Sequence, residues 1–342
     1  MYTPPFTVSA EAINLIAEIS EQLGSILVRM GDNVPSPQLR KKNQIRTINS
    51  SLAIEHNSLT VQQMTDIIDG KRVLGAPDEI QEVKNAIEAY RLMPQLDAFK
   101  EKDLLKAHGL MMKGLVHNAG RYRQDGVGVF GDGGRCIHMA PPPMRVPELI
   151  GDLFEWVKNT DVHPLVYSCV FHYEFEFIHP FEDGNGRMGR YWQTMLLSRW
   201  KSIFAWLPVE TIVKDNQQEY YDVIHRSDMV GNCTLFVEFM LRCLRDSVKN
   251  YAVAENEEQH RLHDKLHDKL HDKYPQLSAK AFEILALLQS HPGSSAENIG
   301  EAVGLSVRQV KTYITSLKQV GLIVRVGSNK TGYWQAMVSV DE

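Results

Sequence analysis

His179-Pro-Phe-Glu-Asp-Gly-Asn-Gly-Arg-Met-Gly-Arg190 is the most informative run in this chain of 342 residues. Gly184 and Gly186 on either side of Asn185 permit unusual backbone angles, so successive N–H groups can converge on one concavity at the start of a helix expected from Asn185 to about Trp200. The helix N-terminus adds positive potential, and Arg187 and Arg190, one turn apart, can reach back to the same anion. Two arginines suit a ligand with several phosphates. Asp183 beside them suits magnesium, which takes one or two carboxylates together with phosphate oxygens and water. His179 is the only group of the run whose ordinary pKa lies near neutrality, as a general base requires. Base, metal carboxylate, amide cradle and paired cations together describe phosphoryl or nucleotidyl transfer. The alternative is an ordinary helix capped by Asp183 with its arginines in surface ion pairs, which leaves the clustering unexplained.

Outward from this run the chain reads as mainly α. Apolar residues spaced three and four apart predict helices over about 10–23, with Gly24 as the C-terminal cap, and over 61–70, 78–93, 101–116, 146–158 and 164–178. Between 118 and 145 frequent glycines and Pro141-Pro-Pro143 exclude a long helix, so a loop or hairpin is expected. His172 and Glu176 lie one turn apart on the helix entering the central run. A polar stretch follows at 251–274 with the repeat Leu-His-Asp-Lys at 262, 266 and 270. Its histidines His263, His267 and His271 line one stripe, open either to a transition metal or, more simply, to solvent on a linker helix.

The last segment predicts a separate small domain. A helix over 278–290, Ser294–Gly304, and a second helix over 307–320 with Ser306 as N-cap precede two strands, 322–326 and 333–338, joined by a Gly-Ser-Asn-Lys-Thr-Gly turn. This order resembles winged helix-turn-helix domains. Six basic side chains face three acidic ones over 275–338, on a chain whose net charge is -5. Arg308, Gln309, Lys311 and Thr312 would then face a major groove and Lys330 the backbone, although such domains also dock proteins.

With 43% hydrophobic and 23% charged residues the composition is that of a packed globular protein. No apolar run reaches 18 residues, and Met1-Tyr-Thr-Pro-Pro-Phe lacks a secretory pattern, which together predict a cytoplasmic protein without membrane contact. The scattered cysteines 136, 169, 233 and 243 indicate neither a disulfide framework nor a zinc site.

The central run matches the HPFxDGNGRxxR signature at all nine fixed positions and in this respect resembles the Fic family, with 96–250 similar to its helical core. The resemblance implies transfer of AMP from ATP to a Tyr, Ser or Thr hydroxyl of a target protein. In that scheme His179 deprotonates the hydroxyl, Phe181 anchors the loop and Asp183 holds Mg2+. Gly184, Asn185 and Gly186 hold the α- and β-phosphates, Arg187 the β-phosphate and Arg190 the γ-phosphate. Tyr220 and Tyr221 fall where family members carry aromatics near the base. Gly120-Arg-Tyr-Arg123 and Cys136-Ile137-His138-Met139-Ala-Pro-Pro-Pro143 resemble the family's flap, whose edge aligns a target segment. Ser51-Leu-Ala-Ile-Glu55-His56-Asn57 resembles the (S/T)xxxE(G/N) inhibitory helix, with His56 in place of Gly or Asn. Glu55 would pair with Arg190 and turn ATP into an unproductive pose.

The expected organisation is therefore an N-terminal helical region carrying the inhibitory helix (1–95), a Fic core with a small β-hairpin flap (96–250), a linker helix (251–274) and a winged helix (275–342). Expected partners are ATP, a target protein, the chain itself and, through the winged helix, DNA; a homodimer is a further expectation. Two other functions fit the same residues: a DNA-binding regulator whose Fic core senses nucleotide, and a hydrolase that removes AMP with Glu55 positioning water.

Overall fold

A computed structural model of the chain describes residues 2–30, 37–130, 136–290, 292–327 and 332–337. The described residues form fourteen α-helices, short 3-10 turns and two antiparallel two-stranded hairpins. They divide into two compact units, Met1–Ala252 and Val253–Glu342.

In the first unit every helix packs on one apolar core that runs from Ala12 to Tyr251. Helix α1 (Ala10–Met30) starts where the Ser9 hydroxyl accepts the Ala12 N–H, and it runs straight through Gly24. The expected cap at Gly24 is thus corrected: Leu23 and Ile26, on both sides of it, are buried, and their packing carries the helix past one unfavourable residue. Helix α2 (Pro37–Ile54) has no counterpart in the sequence periodicity over most of its length. It buries Asn43, Thr47, Ser50 and Ser51 along with Ile45, Ile48 and Leu52, so polar and apolar residues share its inner faces and no clean stripe forms.

Helix α3 (Val61–Ile68) opens with a Thr60/Gln63 capping box, and α4 (Pro77–Leu92) with proline at its first position. Helix α5 (Glu101–Met111) follows, then a hairpin of β1 (Gly128–Phe130) and β2 (Cys136–Met139). Helices α6 (Val146–Asn159), α7 (Pro164–Ile178) and α8 (Asn185–Trp200) follow the expected spans. The α7–α8 pair is the centre of the unit, with Phe171, Phe175, Tyr191 and Trp192 fully buried. Two more helices, α9 (Val209–Asp215) and α10 (Gln217–Val230), lead into the long α11 (Thr234–Lys273). The chain start is strapped to this body where Tyr2 Oη donates to Glu174 and Ser9 Oγ to Glu238. Cys169, Cys233 and Cys243 are buried free thiols, which their surroundings hold well above the ordinary thiol pKa by desolvation. The side chains of His263, His267 and His271 lie outside the described residues.

The second unit contains α12 (Ala279–Ser290), α13 (Ala296–Val303) and α14 (Val307–Gln319), then β3 (Ile323–Val326) paired with β4 (Tyr333–Ala336). Ser295 and Ser306 cap α13 and α14, and Gly304 closes α13 in the left-handed conformation. Its own core gathers Phe282, Leu285, Ile299, Val310, Leu317 and Ile323. No helix among the described residues is long and apolar enough to cross a membrane.

Candidate active site

The site is built at the α7–α8 junction. His179 ends α7 in the left-handed conformation (φ 48°), unusual for a residue with a side chain, and its N–H closes the helix on Phe175 O. Arg123 fixes this turn. It is buried, donates from Nε to His179 O at 2.8 Å, and its Nη1 and Nη2 bind Asp125 O and Pro141 O; its own N–H donates to Pro180 O. One guanidinium therefore ties the base of the β1–β2 hairpin to the chain on both sides of the imidazole. Burial alone pulls its pKa below the ordinary value.

Beneath the loop Phe181 is fully buried, stacked face to face on the His108 ring at 3.6 Å. His108 Nδ1 accepts the Gly120 N–H at 2.8 Å, so its Nε2–H donates to Asp183 O at 3.0 Å. Burial, against the pull of the Asp183 carbonyl, pushes its pKa down to about 4, so the ring is neutral and its tautomer set. No motif marks His108; its partners are distant in sequence. Gly184 is needed for both reasons a glycine can be: φ is +84°, and a Cβ would lie 2.6 Å from Met112 Sδ.

Asn185 has its side chain committed within the loop. Its side chain is buried and exchanges two 2.9 Å hydrogen bonds with Phe181, Oδ1 accepting the N–H and Nδ2 donating to the carbonyl. It shapes the loop, and the α8 N-terminus, where Gly184 provides no capping side chain, presents backbone amides. Arg187 is also engaged within the protein: Nη1 donates to Glu82 of α4 at 2.9 Å and Nη2 to both oxygens of Asp183 at 3.1 and 3.2 Å. Its buried Nε has no acceptor among the described residues. Glu82, which also accepts from Asn57, is a site residue that lies a hundred positions from the motif and had no local signal.

Asp183 is 58% exposed and keeps one acceptor position beyond those used by Arg187 and the Gly184 N–H. A single open carboxylate fits magnesium shared with phosphate and water, and among the described residues there is no cluster of three ligating side chains that would make an all-protein cage.

Arg190 is buried and turned to α2. Nη2 donates to Glu55 Oε1 at 2.7 Å and to Ser51 O at 3.0 Å, and Nε to Ser51 Oγ at 3.1 Å. Burial opposes its charge, but Glu55, with Tyr220 and Glu176 behind it, outweighs burial and holds its pKa above the ordinary value. A Cβ on Gly186 would collide with Glu55 Oε1, so this carboxylate stands directly over the first turn of α8. Glu55 ends α2 in a defined cap: the Asn57 N–H donates to Leu52 O, the His56 N–H to Ala53 O, and His56 takes a left-handed φ of 68°. That conformation explains why Gly or Asn is usual at this position.

Tyr220 is buried, with its hydroxyl 3.1 Å from His172 Nε2, while Tyr221 is half exposed beside Ile54 O at the end of α2. Of the two, only Tyr221 reaches the surface. In the hairpin, Ile137, His138 and Met139 all lie on β2, paired only with β1 among the described residues; Met139 is exposed, and the side chains of Ile137 and His138 lie outside the described residues.

In the second unit Arg308, Lys311 and Thr312 line an open groove on α14 with Val307 and Thr315. Gln309 does not join them, because its side chain closes the Ser306 capping box at 3.0 Å. Lys330 lies outside the described residues.

Comparison with known proteins agrees with this geometry. The Fic/DOC family description matches residues 98–197, and the winged helix-turn-helix DNA-binding description matches 277–324. A crystal structure of a Fic family protein from Desulfovibrio desulfuricans G20 is 43% identical, with a TM-score of 0.71 over 99% of both chains. The chain belongs to the Fic family. A Fic domain containing signaling protein from Bacteroides thetaiotaomicron VPI-5482 shares the fold at 19% identity, with a TM-score of 0.59 over 72% of this chain and 97% of that one. Among curated relatives, the Protein adenylyltransferase Fic of Nematostella vectensis is 25% identical over 69% of this chain and 55% of its own length. That of Aedes aegypti is 28% identical over 67% and 46%. The chain thus spans about half the length of the curated relatives it matches. The Fic match covers the α5–α8 segment that carries the motif loop, whereas Ser51, Glu55 and Glu82 lie before it.

Proposed function

We propose that this Fic protein transfers AMP from ATP to a hydroxyl of a protein side chain and that Glu55 restrains it. The observation that carries the reading is the assembly of His179, the α8 amides and Arg190 at one helix junction, with Glu55 seated over the first turn of α8. His179 takes the proton of the attacking hydroxyl, the oxygen bonds to the α-phosphorus, and pyrophosphate leaves. The amides at the start of α8 and the guanidinium of Arg187 receive the phosphates. Asp183 would hold Mg2+, which supplies charge neutralisation between the phosphates. The edge of β2 that no second strand pairs among the described residues, with the exposed Met139, is suited to aligning an extended target segment by main-chain pairing.

Glu55 opposes this in two ways. It satisfies the Arg190 donors that a γ-phosphate would use, and it brings negative charge to the positive end of α8. The relatives named protein adenylyltransferases support the reaction class.

The test uses ATP labelled at the α- or the γ-phosphate with wild type, Glu55→Gly and Glu55→Gly/His179→Ala. Strong α-label on protein for Glu55→Gly, weak for wild type and absent for the double variant is expected. Label from the γ-position alone would replace the reading with phosphate transfer. Release of AMP from pre-modified protein, dependent on Glu55, would favour the hydrolase.

A second reading applies to the α14 groove. Arg308 and Lys311 beside Thr312 fit nucleic-acid contact. Duplex binding that weakens with salt and is lost in Arg308→Ala/Lys311→Ala is expected, while no binding at low salt would refute it.

A further inference from the structure

Glu176 is a largely enclosed acid that the signature does not contain. It sits on the last turn of α7, three residues before His179, and its carboxylate is 11% exposed. Oε2 is 4.0 Å from His179 Nδ1, and the backbone carbonyl of Glu176 is 3.3 Å from the same nitrogen. A carbonyl only accepts, so Nδ1 carries the proton, and the lone pair is on Nε2, the nitrogen that a base must present.

The space around this carboxylate is kept for it. A Cβ on Gly189 would lie 2.9 Å from both Glu176 Oε1 and His172 Cδ2. Glycine in the middle of α8 costs about 1 kcal/mol relative to alanine, and 189 is an unspecified position of the signature, so local helix chemistry gives no reason for it. The seat of Glu176 does. Oε1 lies buried without a hydrogen bond among the described residues, 3.7 Å from His172 Nε2. His172 is itself held by Gln193 at Nδ1 (2.7 Å) and by Tyr220 at Nε2 (3.1 Å).

We propose that Glu176 is the positioning residue of His179: its backbone carbonyl fixes the tautomer, and its carboxylate, behind the imidazole, stabilises the imidazolium formed when the base takes the hydroxyl proton. This rests on the transferase reading only for the identity of the proton donor. The groups facing Glu176 are His172 and His179 from α7, Arg190 from α8 and Tyr220 from α10, with Glu55 of α2 beyond Arg190. Among the groups facing His179 are Glu176 and, through the His179 carbonyl, Arg123. Burial works to neutralise Glu176, but His172, His179 and Arg190 oppose it and hold its pKa below the ordinary carboxylate value.

The experiment is a histidine-labelled NMR titration of the full chain, with the His179 resonance assigned by its loss in His179→Ala. In Glu176→Gln, which preserves shape, the proton affinity of His179 should fall about tenfold, the low end of what an opposite charge at this distance supports. In Glu176→Asp the charge is kept but withdrawn, and the fall should be smaller. Unchanged titration of His179 in Glu176→Gln overturns the proposal; if that variant does not fold, unchanged or raised affinity in Glu176→Asp overturns it.

The titration needs no ATP and so separates this inference from the activity. In the Glu55→Gly background, the acid limb of α-label transfer should move to lower pH by the same amount, with kcat reduced and KM for ATP retained. A shifted titration without label transfer from any variant would remove the transferase reading and leave the positioning role in place.

Discussion

Removing the Glu55 carboxylate should release the enzyme, and the size of the effect follows from its single strong contact. The Glu55–Arg190 bond is 2.7 Å, charge-assisted, with the arginine buried and the glutamate one-third exposed. Hydrogen bonds to charged groups of this kind contribute about 2 kcal/mol. Lost only from the restrained state, that converts to a rate increase of about thirtyfold. Arg190 keeps its two bonds to Ser51 when Glu55 goes, so the cation stays anchored beside α2. Glu55→Gln, which retains a neutral acceptor of the same shape, should release only part of the restraint, about fivefold for about 1 kcal/mol. The assay is the initial rate of AMP incorporation from α-labelled ATP at saturating target or, without one, into the chain itself. A Glu55→Gly rate no higher than wild type refutes the restraint, and label surviving in Glu55→Gly/His179→Ala refutes His179 as base.

Three other expectations can be checked without knowing the target. His56→Gly should raise the melting temperature by about 2 °C and lower basal transfer several-fold, because a left-handed residue with a Cβ strains the helix end that presents Glu55, at a cost of about 1 kcal/mol; faster transfer would contradict this. Gly184→Ala should destabilise the fold by about 1–3 kcal/mol in denaturant melts, since it combines positive φ with overlap on Met112. His108 has a folded pKa near 4, below the unfolded value near 6.5, so the unfolded chain binds the extra proton and stability falls as pH drops from about 6.5 to 4. The slope is at most about 1.4 kcal/mol per pH unit. His108→Gln, measured against wild type in the same melts, should lack that component, and parallel pH curves for the two would disprove it.

Within the chain, the regions with strong local chemistry were legible. The spans of α6, α7 and α8 follow from uninterrupted apolar periodicity and from His179-Pro180 breaking it, and the winged-helix caps at Ser306 and Gly304 stand where the residue types demand. The signature placed His179, Asp183, Arg187 and Arg190 together because they are one turn apart or less. Helix α2 was legible only at its end, since its inner faces mix polar and apolar residues and leave no stripe to read.

What sequence alone determined is therefore the loop and its chemistry, because a glycine-rich turn between two helices is a local object whose geometry needs only its own residues. Tertiary structure decided which partners those residues meet. It assigned Arg187 to Glu82, Phe181 to His108, and Arg190 to Ser51 and Glu55. Most of these pairs join helices far apart in the chain, where packing of a shared core brings charges and rings within contact distance. No local pattern encodes such a meeting, since it depends on how helices α2, α4, α5, α7 and α8 stack on one another and not on the spacing within any of them.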